Sequence, residues 1–135
     1  MIHTEGMEAV WARHARLAGA IWAACETWGQ GGPLALNVPE PAHRSTAVTA
    51  LHIGKTVGKR LRQWTEGEAG VTLGIGLGMS TEDDPEGDGF FRIGHMGYVN
   101  AQMVMGVLGS MEAGLAALQV PRGSGALDAA AQVLA

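Results

Sequence analysis

The stretch Phe91-Arg92-Ile93-Gly94-His95-Met96-Gly97 joins one permanent cation to an apolar strand end flanked by glycine. Phe90 and Phe91 precede Arg92 and Ile93 follows it, so the guanidinium emerges from an apolar segment whose surroundings strengthen its pull on an anion. Its planar fork can give a carboxylate two parallel charge-assisted hydrogen bonds, and it stays protonated at any physiological pH. His95 is placed either to support Arg92 or its ligand from behind, or to act as a structural hydrogen-bonding histidine. The turn Gly74-Ile75-Gly76-Leu77-Gly78 carries glycine at alternate positions, which strips one strand face of side chains. Gly76 and Gly78 therefore permit close approach by a ligand or a neighbouring chain, or simply allow a bend.

Other patterns carry less chemistry. Gly54-Lys55-Thr56 mimics the end of a phosphate-binding loop, but Thr49 stands where the first glycine is required. The Gly74-x-Gly76-x-Gly78 run lacks the last spacing of a dinucleotide fingerprint and ends a strand instead of opening a helix. The five histidines, at 3, 14, 43, 52 and 95, show no metal-ligand spacing, so no metal site is expected. Glu82, Asp83, Asp84, Glu86 and Asp88 lack the ordered register of a calcium loop and read as a mobile, solvated acidic loop over 79–89. Lys55, Lys59, Arg60 and Arg62 read as a solvated basic face, and the single Cys25 as a small buried hydrophobe.

The elements that must position Arg92 follow from periodicity. Thr4 is a plausible helix cap. Met7, Val10, His14, Leu17, Ile21, Cys25 and Trp28 then recur at steps of three and four, and Gly29 supplies a stop. Trp11 and Trp22 fall off that stripe and are either partly covered surface residues or contacts to another domain. Gly29 to Pro41 is a turn-rich connection. A strand follows from about His43 to His52, then a short helix marked by Val57, Leu61 and Trp64, a strand Val71–Leu77 and the arginine strand. Asn100 can cap a helix with the stripe Val104, Val107, Leu108, Met111, Leu115 and Leu118, and a last helix runs from about Gly125 to Leu134. The expected architecture is α+β over residues 1–135 as one domain, a small and mainly antiparallel sheet of about three strands covered by helices.

Composition agrees with one compact unit. A chain of 135 residues can hide about two thirds of its unfolded surface. Apolar residues make up 47% and charged ones 16%, low for a small domain, so part of its surface is expected to meet another protein. A net charge of −4 without a basic tract argues against nucleic-acid binding. No apolar run nears the roughly 20 residues a bilayer span requires, and the first residues lack the pattern of a signal peptide. A cytoplasmic setting without membrane contact is the resulting expectation.

The arginine motif resembles the C-terminal, small domain of class V pyridoxal-phosphate aminotransferases of fold type I, the group of alanine–glyoxylate, serine–glyoxylate and pyridoxamine–pyruvate enzymes. Glu8-Ala9-Val10-Trp11-Ala12-Arg13-His14 is similar to that domain's first helix. Arg44-Ser45-Thr46-Ala47-Val48-Thr49-Ala50 is similar to its first strand, and Gly74 to Gly78 to the turn ahead of the arginine strand. The resemblance implies that Arg92 binds the carboxylate of a small amino or keto acid, with nitrogen passing from a donor such as alanine or serine to glyoxylate or pyruvate. It also implies a homodimeric parent enzyme. That chemistry requires a Schiff-base lysine and a phosphate cradle, whereas Lys55 and Lys59, the only lysines, match a surface helix. The chain thus reads as a fragment lacking the large cofactor-binding domain, binding no cofactor and inactive alone. The alternative is a free-standing α+β interaction or small-carboxylate-binding module without catalytic activity. The acidic insertion departs from the family's pattern and leaves substrate specificity open.

Overall fold

The computed structural model describes residues 2–135, with nothing described of the Ile2 side chain. A short helix α1 (Ile2–Glu5) is followed by the long helix α2 (Met7–Gly29). Thr4 lies inside α1 and caps nothing; the break falls at Gly6, whose φ of 84° is accessible to glycine at little cost. The α2 stripe sinks into the core from Val10 onward through Leu17, Ile21, Cys25 and Trp28, while Met7 remains 43% exposed and His14 half-buried. Burial pushes the Cys25 thiol well above its ordinary range, which suits a packing residue and not a nucleophile.

Four strands form one antiparallel sheet in the order β1-β2-β4-β3: β1 (Ala35–Leu36), β2 (Val48–His52), β3 (Gly74–Ile75) and β4 (Phe90–Gly94). The fourth strand, β1, sits within the turn-rich connection; its two residues pair with Leu51 and His52 at the sheet edge. A 3₁₀ turn over Pro41–His43 delays the start of β2, and the strand expected over 71–77 narrows to two residues. Thr49, Leu51, Phe91 and Ile93 point to the helical side and are buried. They pack under α2, α3 (Val57–Ala69), α4 (Ala101–Ala117) and α5 (Ala126–Leu134). Asn100 caps α4 by accepting from the Met103 amide at 3.0 Å.

The acidic loop is not uniformly solvated. Asp84 is buried, and its carboxylate accepts from the amides of Asp88 at 3.1 Å and Gly89 at 2.8 Å, folding the segment around itself. Asp88 in turn faces Lys59 at 3.1 Å and Arg62 at 3.8 Å, so half of the supposed basic face is paired with this loop. The signs complement each other across α3 and the approach to β4.

Glycines also join α2 to the α4–α5 connection. Trp28 donates its indole N–H to Glu112, which holds Arg122 at 2.7 Å, and the Gly123 amide donates to the Trp28 carbonyl at 2.9 Å. A side chain at Gly32 would collide with the Pro121 carbonyl, and one at Gly123 with that of Thr27. Because backbone cannot swing aside as a side-chain tip can, Gly123→Ala is expected to lower unfolding free energy by about 2 kcal/mol or more. The midpoint of urea denaturation measures it, and an unchanged midpoint would show that the two loops separate freely.

Candidate functional site

Arg92 stands on the sheet face opposite the helices, because β4 alternates and its neighbours Phe91 and Ile93 point into the core. Its cross-strand neighbours are Ala50 on β2 and Gly74 on β3, small residues that leave room for the long side chain beside the strand. Nε–H donates to the Ile75 carbonyl at 2.7 Å. Among the described residues no carboxylate lies in salt-bridge range of Arg92, and neither Nη group has a protein acceptor. The side chain is only half-buried, so it holds two unpaired N–H pairs in a partly desolvated setting. This is the arrangement a carboxylate ligand needs.

Next to it the sheet opens. β3 pairs with β4 only at Gly74–Arg92 and Ile75–Phe91, after which the 71–73 segment parts from Ile93 and Gly94. A cleft of about 220 Å³ results, bordered by Arg92, Thr72 and Gly94 and floored by Ile21, Val104 and Val107. On the same face as Arg92, the rings of His52 and Phe90 lie 4.5 Å apart, tilted by 50°.

His95 borders the same cleft as Arg92 but makes no hydrogen bond to it. His95 is buried, with Nδ1 3.1 Å from the Thr46 carbonyl and Nε2 2.9 Å from Thr49 Oγ1. A carbonyl only accepts, so Nδ1 carries the proton. Nε2 then accepts from the Thr49 hydroxyl, whose oxygen accepts from the Trp22 indole at 3.0 Å. Trp22 thus ties α2 to β2 and, through Thr49, to His95; with the Arg44 guanidinium 5.4 Å above its ring it is a partly covered residue. Trp11, by contrast, is 62% exposed and joins Met7, Met96 and Tyr98 along an open apolar pocket. Gly76 is buried, where a Cβ would press on that of Phe90 at 2.7 Å; Gly78 is exposed and turns the chain with a φ of 81°.

Sequence reasoning missed the role of Arg13. Its Nε and Nη2 grip the Glu5 carboxylate at 2.7 and 3.0 Å, and Nη1 donates to the carbonyls of Gly97 and Val99 at 3.0 Å each. His14 Nε2–H donates to the same Gly97 carbonyl at 3.1 Å. The loop leaving the arginine strand is thereby strapped to α2. Partners more than 80 positions away leave no local signal; only the family-like string around Arg13 singled it out.

Comparison with known proteins finds similar chains among aminotransferases. No model of a known family matches the chain. It is 32% identical over 132 residues, 97% of its length, to an L-aspartate–glyoxylate aminotransferase of Paracoccus denitrificans, of which it covers 31%. Its fold matches a ureidoglycine–glyoxylate aminotransferase from Bacillus subtilis at a TM-score of 0.79 and 27% identity, covering 98% of this chain and 32% of that one. A pyridoxamine–pyruvate aminotransferase from Mesorhizobium loti gives 0.76 and 29%, covering 97% and 32%. By sequence and fold the chain is a relative of these class V aminotransferases. It spans less than a third of the length of these relatives.

The His95 network yields a pH test. Burial lowers the His95 imidazole below its ordinary value, outweighing the Thr46 carbonyl, which raises it. The unfolded chain therefore takes up a proton near the usual pH of about 6.5, where the folded chain does not. This contribution to stability is complete above that pH and declines as pH falls toward the folded value. Denaturation midpoints measured from pH 8 to 5 (roughly the window in which histidine titrates) should fall on the acid side in the wild type and less steeply in His95→Gln. Identical slopes would mean that His95 protonates freely in the native state.

Proposed function

We propose that this chain serves as the small, C-terminal domain of an aminotransferase that uses a small 2-oxo acid, glyoxylate or pyruvate, as amino acceptor. In this reading Arg92 binds the substrate carboxylate. The observation that carries it is the half-buried guanidinium whose Nη groups are both free among the described residues, beside an open cleft. The printed names of the relatives point the same way. Their donors differ, being aspartate, ureidoglycine and pyridoxamine, while their acceptors are both 2-oxo acids. A clamp for a carboxylate next to a carbonyl is the part such enzymes would share, so alanine or serine as donor is one choice among several.

Pyridoxal phosphate, which the family employs, needs an amine placed to form an imine and a cradle for its phosphate. Lys55 and Lys59 are both exposed, Lys59 is held by Asp88, and neither borders the cleft beside Arg92. The residues present do not fit the cofactor. Holding it falls, in this proposal, to a large domain of the kind that would account for the relatives' greater length. A homodimeric, cytoplasmic enzyme completes the reading; no helix of the described residues is long and apolar enough to cross a membrane.

What this chain contributes is orientation. Two hydrogen bonds from a rigid fork fix the carboxylate plane, and with it the bonds at the adjacent carbon, so that proton transfer occurs in one geometry. When the chain is assayed together with its cofactor-bearing domain, Arg92→Ala is expected to raise KM for the keto acid. It should also lower kcat/KM by about two to four orders of magnitude, the loss of a desolvated charge-assisted pair. Unchanged kcat/KM would remove Arg92 from the site.

A further inference from the structure

We infer that the main-chain carbonyl of Ile75, carried on the glycine limb Gly74–Gly78, is a positioning element that locks Arg92 for end-on capture of a carboxylate. The inference rests on the proposed role of Arg92 and deepens it. A guanidinium can meet a carboxylate along the edge formed by its two Nη groups, or along the side edge formed by Nε and one Nη. The Nε hydrogen is spent on the Ile75 oxygen at 2.7 Å, so the side edge is closed and the end edge is left free. The acceptor belongs to the paired main chain of β3. Ile75 pairs with Phe91, which is fully buried, and Gly74 pairs with Arg92. The lock thus connects the clamp to the core of the sheet and not to a flexible surface group.

Glycine at 74 and 76 follows from the same geometry. A Cβ at position 74 would lie 3.3 Å from the Arg92 Cβ and 3.6 Å from Nε, so any branched side chain there pushes the arginine off the Ile75 carbonyl. A Cβ at position 76 would stand 2.7 Å from the Phe90 Cβ, an atom that cannot move without its strand. Beyond them Leu77 and Gly78, at φ 48° and 81°, turn the chain away through two successive left-handed residues. Ile75 and Gly74 touch no reacting atom in this account; they act through Arg92.

The test uses the ¹⁵N-labelled chain, following exchange of the Arg92 Nε–H with water and titrating pyruvate as probe. In the wild type this hydrogen should exchange about tenfold or more slower than those of the exposed Arg16 and Arg60. In Gly74→Val it should exchange at their rate, and pyruvate should bind about fivefold or more weakly. Gly74→Ala is a milder companion should valine prevent folding, and the wild-type exchange rate depends on neither variant. An Arg92 Nε–H that exchanges as fast as those of Arg16 and Arg60 in the wild type overturns the lock. So does a Gly74→Val chain that loses protection yet binds pyruvate as well as the wild type. Arg92→Ala separates the two levels: if it binds pyruvate unchanged, the carboxylate role itself falls, and if it loses binding while Gly74→Val keeps it, only the lock does.

Discussion

A guanidinium half-withdrawn from water, with one hydrogen bound to a main-chain carbonyl and its end groups without partners among the described residues, is the constraint around which this domain is arranged. Withdrawing a charge from solvent costs free energy unless a partner compensates. Three other half-buried arginines are hydrogen-bonded: Arg13 by Glu5 and two carbonyls, Arg44 by Glu26 and the carbonyls of Val38 and Pro39, Arg122 by Glu112. Arg62 keeps a buried Nε without a partner among the described residues and reaches only Asp88 at 3.8 Å. Arg92 differs from all of these in having no carboxylate in salt-bridge range among the described residues, and is in that respect the exception. Its neighbours Ala50 and Gly74 are the small side chains such an exception requires.

The helical side of the sheet makes that exception stable. Phe91 and Ile93 anchor β4 in the core, and the relay from Trp22 through Thr49 to His95 and the Thr46 carbonyl satisfies the polar groups behind it. Every member of the relay has a defined donor or acceptor, so it rigidifies the strand end. Past His95, Arg13 and His14 hold the loop at Gly97 and Val99 before Asn100 starts α4. The C-terminal end of the arginine strand and the loop that leaves it are therefore held by contacts from one long helix.

Much of this was legible in the amino-acid order. The α2 and α4 stripes, the strand around Val48–His52, the Asn100 cap and the α+β class follow from local periodicity and turn chemistry, which short-range patterns record. What was not legible depends on distance. β1 has two residues and pairs at an edge, too little for a pattern. Asp84 is indistinguishable in composition from Asp83, yet one is buried under the amides of Asp88 and Gly89 and the other is exposed. Whether Trp22 was a partly covered surface residue or a contact to another domain could not be read locally, because its partners Thr49 and Arg44 come later in the chain. At the site, Arg92 stood out by its apolar flanks, whereas the carbonyl that holds it belongs to a residue 17 positions earlier.

The most direct measurement is a crystal structure of the chain soaked with pyruvate. The account predicts both carboxylate oxygens about 2.7–2.9 Å from the two Nη atoms of Arg92, with Nε still on Ile75. Pyruvate bound elsewhere, or an Arg92 turned onto an acidic side chain of the same molecule, would contradict it.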